Sequence, residues 1–181
     1  RINKLCEETG LTIPDEDMDT NDPTTVAGRG FGISKWYELF TPRQLLALLT
    51  FTKWVKELGR EVRKENCEED LVKIISTYLS LSIDRMGEYL NTGSKWDIGQ
   101  ERNCSVFIRQ AIPMVWDYSE LNPFEVTVGS FPSMVRLILK DIKNLSEILN
   151  SSYVTRTSAT ELPYSDNFFD AIITDPPYYN N

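Results

Sequence analysis

The sequence Asp175-Pro176-Pro177-Tyr178 places a carboxylate, two prolines and an aromatic ring within one tight turn. Because proline fixes φ and has no N–H, the two prolines stiffen the turn and leave its carbonyl oxygens free to accept hydrogen bonds. Asp175 adds a carboxylate acceptor, and Tyr178 adds a flat ring on which another ring can stack. These groups suit a planar ligand that bears an amino group, such as the exocyclic amine of adenine or cytosine.

Two short stretches near the end of the chain would position this turn. Tyr153 to Thr157 and Phe169 to Thr174 are rich in aromatic and β-branched residues, and each is predicted to form a strand. Residues 158–167 would form the loop between them. Asp175 would then lie at the carboxyl end of the second strand, which is where α/β sheets bind their ligands.

The turn matches the D-P-P-Y signature of amino-methyltransferases, and the resemblance extends along the chain. Ser158 to Asp170 is similar to the A-T-x-L-P-x-x-D-x-x-F-D stretch that precedes the catalytic strand in many class I methyltransferases. Phe40 to Leu48 and the T-D-P-P-Y-Y ending resemble a family of large adenine-specific DNA methylases, which have a helical insertion between their cofactor-binding and catalytic motifs. The resemblance covers most of residues 26–181.

The resemblance implies methyl transfer from S-adenosylmethionine to an exocyclic amino group of DNA, with adenine favoured and cytosine or RNA left open. It assigns catalysis to Asp175-Pro176-Pro177-Tyr178. Asp175 and the Pro176 carbonyl would accept hydrogen bonds from the target amino group, and Tyr178 would stack on a base flipped out of the duplex. Catalysis would depend on positioning and on preorganised acceptors rather than on a covalent intermediate.

The resemblance also implies where the cofactor binds. Ser158 and Ala159 occupy the place where related enzymes contact the cofactor's adenine, although those relatives often have Asp at the position of Ser158. The sequence has no glycine-rich loop after a first strand; Gly28-Arg29-Gly30-Phe31-Gly32 follows no apolar strand and is better interpreted as a flexible lead into the next helix. We therefore expect a methylase fragment that, alone, neither binds S-adenosylmethionine tightly nor methylates.

The middle of the chain is predicted to be helical. A short helix or irregular lead-in is expected over residues 1–13, and the acidic stretch from Pro14 to Thr25 is expected to build no core. Apolar residues then recur at helical spacing. The predicted helices run from Thr41-Pro42 to about Glu65, from Leu71 towards Leu90, over about Cys104–Trp116, and onward from Ser130-Phe131-Pro132.

These elements predict a mostly α-helical body followed by a partial α/β segment, which the resemblance identifies as Rossmann-like and of the class I methyltransferase type. The expected boundaries are a mostly irregular acidic and glycine-rich lead-in at 1–32, a helical insertion or recognition region at 33–150, and a partial catalytic region at 151–181.

Four basic residues of the first long helix recur at three- and four-residue spacing: Lys53, Lys56, Arg60 and Arg63. Such a stripe could contact a phosphate backbone. Glu57 and Glu61 interleave with it, however, so a mixed-charge solvated face is the commoner meaning. A helical module that binds nucleic acid or protein therefore stays open as an alternative function, as does a diverged methylase that has lost activity.

Composition limits the remaining classes. The 19 Lys and Arg against 27 Asp and Glu give a net charge of −8, so strong non-specific binding of nucleic acid by these residues alone is not expected. The chain has no His, and its three Cys lack CxxC spacing, which argues against a zinc site or a His-based triad. No apolar run approaches the ~20 residues of a membrane span. A reduced, cytoplasmic protein is expected, with DNA as the partner of the full-length protein.

Overall fold

The computed structural model of the protein describes residues 1–19, 21, 31–108, 111–147 and 152–175. The chain divides into two units, which are called here the helical unit (Arg1–Glu147) and the C-terminal unit (Ile148–Asn181). The described helices are α1 (Ile2–Thr9), α2 (Pro42–Lys64), α3 (Glu69–Gly87) and α4 (Phe131–Leu145). Strands β1 (Trp96–Asp97) and β2 (Arg102–Asn103) pair antiparallel, with Trp96 opposite Asn103 and Asp97 opposite Arg102.

Helix α2 begins where the sequence predicts. The Gln44 backbone N–H donates to Thr41 Oγ1 at 3.3 Å, and the Thr41 N–H donates to Gln44 Oε1 at 2.8 Å. This capping box satisfies two donors that a helix start would otherwise leave free, and Pro42 occupies the first turn, where its missing N–H costs nothing. The helix ends at Lys64, one residue before the predicted end.

Helix α4 also starts at its predicted place, because Ser130 caps it by accepting from the Ser133 N–H at 3.4 Å. The preceding residue, Gly129, has a φ of 89°. A Cβ at this position would lie 2.5 Å from the Tyr89 Cβ, so the site needs glycine both for its backbone conformation and for the close approach.

The core lies between α2, α3 and α4. Met86, Leu90 and Leu121 are buried there, and Phe51 and Phe131 pack against them with ring centroids 4.6 Å apart. The chain segments before α2 and after α3 are also joined, because the Thr92 N–H and hydroxyl both donate to the Leu39 carbonyl at 2.8 Å. These hydrogen bonds therefore hold the hairpin of α2 and α3 together at the end opposite its connecting turn.

The acidic lead-in contributes to packing, contrary to the prediction that it builds no core. Met18 is buried against Ile112, with Ile33 and Leu39 beside it. The Met18 N–H donates to the Ser34 carbonyl at 2.7 Å, and Lys35 Nζ donates to Asp17 Oδ1 at 3.0 Å. One apolar side chain and a short backbone pairing are enough to anchor this polar segment; residues 20 and 22–30, which include Gly28, Arg29 and Gly30, lie outside the described residues.

The predicted helix over Cys104–Trp116 is wrong. The described residues of this segment contain one short 3₁₀ turn, Val106–Ile108. The Cys104 N–H donates to the Lys95 carbonyl and the Val106 N–H to the Glu88 carbonyl, so hydrogen bonds to residues distant in the sequence hold this segment in place. Of the apolar residues that suggested a helix, Val106 and Ile112 are buried, whereas Phe107 and Ile108 are exposed.

The C-terminal unit has no strand among residues 152–175, contrary to the prediction for Tyr153–Thr157 and Phe169–Thr174. Its backbone pairing there is an isolated bridge between Ser158 and Glu161. A strand forms only when another strand accepts and donates its backbone hydrogen bonds, and no described residue of this unit does so for the two stretches. The mostly helical expectation is confirmed, whereas a Rossmann-like sheet stays a prediction.

Candidate active site and candidate nucleic-acid surface

Asp175, the first residue of the predicted catalytic motif, is exposed to solvent. Pro176, Pro177 and Tyr178 lie outside the described residues. It therefore stays a prediction from the motif that Asp175, the Pro176 carbonyl and Tyr178 surround one amino group of a ligand.

Ser158 and Ala159, the predicted cofactor residues, form the start of a small turn. Ser158 Oγ lies 2.8 Å from Thr160 Oγ1 and accepts from the Thr160 N–H at 3.3 Å. The Glu161 N–H donates to the Ser158 carbonyl at 3.2 Å, and the Thr157 hydroxyl donates to the Glu161 carbonyl at 3.0 Å. The Ser158 hydroxyl is thus engaged inside its own turn, which leaves Ala159 as the residue that lines open space.

That open space is a groove of about 530 Å³ within the C-terminal unit. Three rings form one side of it: Tyr164 stacks on Phe168 with centroids 5.0 Å apart, and Phe169 meets Tyr164 edge-on at 4.7 Å. Asp166 and Asn167 add polar groups. Aromatic side chains with nearby polar atoms could hold a planar ring, and no described residue that lines the groove carries a positive charge.

The groove and the predicted catalytic motif are close in sequence, but the structure does not bring them into one site among the described residues. Ile172 lines the groove, whereas Asp175 does not. The sequence resemblance assigned Ala159 to the cofactor, and this assignment stays a prediction. The resemblance did not identify the ring cluster of Tyr164, Phe168 and Phe169, although the signal was present as three aromatic residues within six positions.

The predicted basic stripe lies on α2, where acidic neighbours pair with much of it. Arg60 contacts Glu57 at 3.0 Å, and Arg63 makes a two-pronged contact with Glu69 in which both distances are 3.0 Å. Lys53 Nζ lies 5.4 Å from the centroid of the Trp54 ring. Lys56 has no ion-pair partner among the residues that the structure describes.

The same pairing appears in the electrostatics. The hydrogen bond between Arg63 and Glu69 raises the pKa of Arg63 and lowers the pKa of Glu69. Beside the stripe, the hydrogen bond of Lys64 to Glu61 raises the pKa of Lys64. Arg63 is therefore paired with an acidic side chain of α3, and Lys64 with one of α2 itself. Contact with nucleic acid through Lys53, Lys56, Arg60 and Arg63 stays a prediction.

A second concave site, which sequence reasoning did not find, lies in the helical unit. It is a cavity of about 440 Å³ next to the end of α3. Trp36 and Phe40 line it from the segment before α2, and Phe107 lines it from the segment after α3. Glu88, which also lines it, accepts hydrogen bonds from Arg85 and Ser105. The sequence predicts a helix that runs towards Leu90, but a local pattern cannot show what packs around its end.

Comparisons with protein-family models, with curated proteins and with solved structures found no match. In the part of the chain that the structure describes, no helix is long and apolar enough to cross a membrane, and no cluster of side chains has the composition of a metal site.

Proposed function

We propose that this chain is part of an S-adenosylmethionine-dependent DNA methyltransferase that acts on an exocyclic amino group, with adenine as the favoured base. The observation that supports it is the D-P-P-Y sequence at 175–178, preceded in register by the motif-like stretch from Ser158 to Asp170. The exposure of Asp175 adds support, since a carboxylate that must receive a ligand has to be reachable.

The chain's own residues would act on the acceptor amine. Its lone pair is delocalised into the base, which makes the nitrogen a poor nucleophile. The Asp175 carboxylate and the Pro176 carbonyl accept the two N–H groups, and this favours the tetrahedral nitrogen that has its lone pair available. Tyr178 holds the base by stacking. Fixed acceptors of this kind contribute through positioning and preorganised electrostatics.

The cofactor would supply an electrophilic methyl group, and the groove next to Ala159 would hold its adenine. The aromatic faces of Tyr164 and Phe168 offer the stacking that a purine needs. Ser158 would contribute backbone rather than side-chain contacts, because its hydroxyl already bonds within the turn.

The test is methyl transfer by the full-length protein that contains this sequence. With labelled S-adenosylmethionine and unmethylated DNA, we expect methylated adenine by mass spectrometry, and Asp175→Ala to lower the rate by about 10²-fold or more, the size expected for a lost transition-state acceptor. Asp117→Ala is the matched control, because Asp117 is an exposed aspartate of the helical unit, outside the motif. Absence of any methylated base, or equal rates for the two variants, would overturn the proposal.

A further inference from the structure

Helix α3 carries a row of apolar side chains that its own unit does not cover. The row is called here the α3 stripe and consists of Leu71, Ile74, Tyr78 and Leu81. Their exposed fractions are 47%, 52%, 39% and 50%. The spacing of three, four and three residues is that of the a and d positions of a heptad repeat, which put one seam of apolar residues along a helix. The stripe is about 15 Å long at 1.5 Å per residue.

A neighbouring face of the same helix packs within the helical unit. Val72, Ser82 and Met86 are buried, and Gly59 of α2 faces Ser76 so closely that an added Cβ would lie 3.0 Å from its hydroxyl. Helix α3 thus has a packed face and, in addition, a second apolar seam. Large exposed apolar rows with polar edges mark interaction surfaces more often than ordinary surface.

The two edges of the stripe differ in a way that selects the partner. One edge carries Asp70, Thr77 and Asp84 at seven-residue intervals, the g positions of the heptad. Asp84 has no ion pair or hydrogen bond among the described residues, and Asp70 meets Lys73 at 3.1 Å in an exposed pair of the kind that contributes little. The other edge, the e positions, consists of half-buried Ile75 and buried Ser82.

A second copy of the chain is a poor fit for this pattern. In a parallel pair the acidic g residues would meet the e positions of the copy, which are Ile75 and Ser82 and hold no cation. In an antiparallel pair the two Asp edges would face each other, and like charges at that distance oppose association. We infer that the α3 stripe docks an amphipathic helix of a different polypeptide. That helix would have apolar residues at a and d and would place Lys or Arg opposite Asp70 and Asp84.

The test uses the 181-residue chain and two synthetic helical peptides with Leu at a and d. One peptide carries Lys at e and g, and the other carries Glu. We expect the Lys peptide to bind more tightly by fluorescence anisotropy, and Ile74→Ala or Tyr78→Ala to weaken that binding by about tenfold or more. Leu139→Ala is the matched control, since Leu139 is an exposed leucine of α4 outside the stripe.

Charge exchange separates docking at the stripe from general attraction to an acidic protein. The double variant Asp70→Lys with Asp84→Lys should reverse the preference in favour of the Glu peptide. The double variant Asp117→Lys with Asp141→Lys, which makes the same change in net charge at exposed sites off the stripe, should leave the preference unchanged. Equal effects of the two double variants, no peptide binding, or a dimer of the chain in sedimentation that Ile74→Glu dissolves would each overturn the inference, the last by assigning the stripe to a second copy.

Discussion

Phe51 in the helical unit and Phe169 in the C-terminal unit are the same side chain in two different surroundings. Phe51 packs between Phe124 and Phe131 and against buried Met86 and Leu90. Phe169 contacts two rings and remains 45% exposed. Around it, the apolar side chains of the described C-terminal residues are exposed as well, among them Val154, Ile172 and Ile173.

This difference shows what an apolar pattern can accomplish locally. A helix satisfies its own backbone hydrogen bonds, so an amphipathic stretch can form its secondary structure first and pack afterwards. A strand has no such independence, because its backbone groups need a neighbour. The helical unit therefore turns its pattern into a core, whereas the C-terminal unit keeps an apolar sequence without a sheet among its described residues.

The largest expected effect is the contrast between the two phenylalanines. Phe51→Ala removes a ring from a packed cluster and should lower the free energy of unfolding by about 3 kcal/mol. Phe169→Ala should lower it by less than about 1 kcal/mol, because 45% of the side chain is already exposed to solvent in the folded state. Urea unfolding followed by circular dichroism measures both. Equal losses would show that the aromatic cluster of the C-terminal unit belongs to the cooperative core.

A backbone substitution sharpens the same comparison within the helical unit. Gly129→Ala places a methyl group 2.5 Å from the Tyr89 Cβ at a φ of 89°, so we expect a loss of about 2 kcal/mol in unfolding free energy. Gly99→Ala is the control, since its nearest neighbour is the Asp97 carboxylate at 3.4 Å and its φ is not positive. Thermal unfolding of the two variants should separate them clearly; a wild-type Tm for Gly129→Ala would contradict the close packing of this turn.

The smallest expected effect concerns the ion pair between α2 and α3. The hydrogen bond from Arg63 lowers the pKa of Glu69 in the folded protein. The pair therefore stabilises the folded state at pH values above the ordinary Glu pKa of about 4.3. This contribution is lost as the pH falls through the lower pKa of the folded state. Glu69→Gln should therefore be slightly less stable than wild type at pH 7, with the difference shrinking in acid. Glu65→Gln, which changes a glutamate outside any described ion pair, is the matched control.

The parts of the fold that the sequence could predict are those with local causes. Thr41-Pro42 and Ser130-Phe131-Pro132 mark helix starts because a capping side chain and a proline act within one turn. The hairpin of β1 and β2 was missed because its strands are two residues each. Its signal was Asp97, whose Oδ1 accepts from the Gly99 and Gln100 N–H groups at 2.9 and 3.1 Å in the connecting turn.

The candidate sites divide in the same way. The D-P-P-Y sequence at 175–178 can be recognised as a motif, since the chemistry that it predicts lies in consecutive residues. The cavity beside Trp36 and Phe107 cannot, because it depends on contacts between residues far apart in the chain, such as Ser105 with Glu88. The internal engagement of the Ser158 hydroxyl was equally hidden, as it depends on the conformation of one turn.

The contact between Thr92 and Leu39 determines how this chain tolerates change in length. It joins the segment before α2 to the segment after α3. The α2–α3 hairpin is therefore held together at the end opposite its connecting turn, Glu65–Glu68. Extra residues at this turn enlarge a flexible loop, and each doubling of loop length costs only about 0.6 kcal/mol of closure entropy. Asn66, exposed and at a φ of 56°, is therefore the natural point in the helical unit for inserting a reporter or opening the chain in a circular permutant.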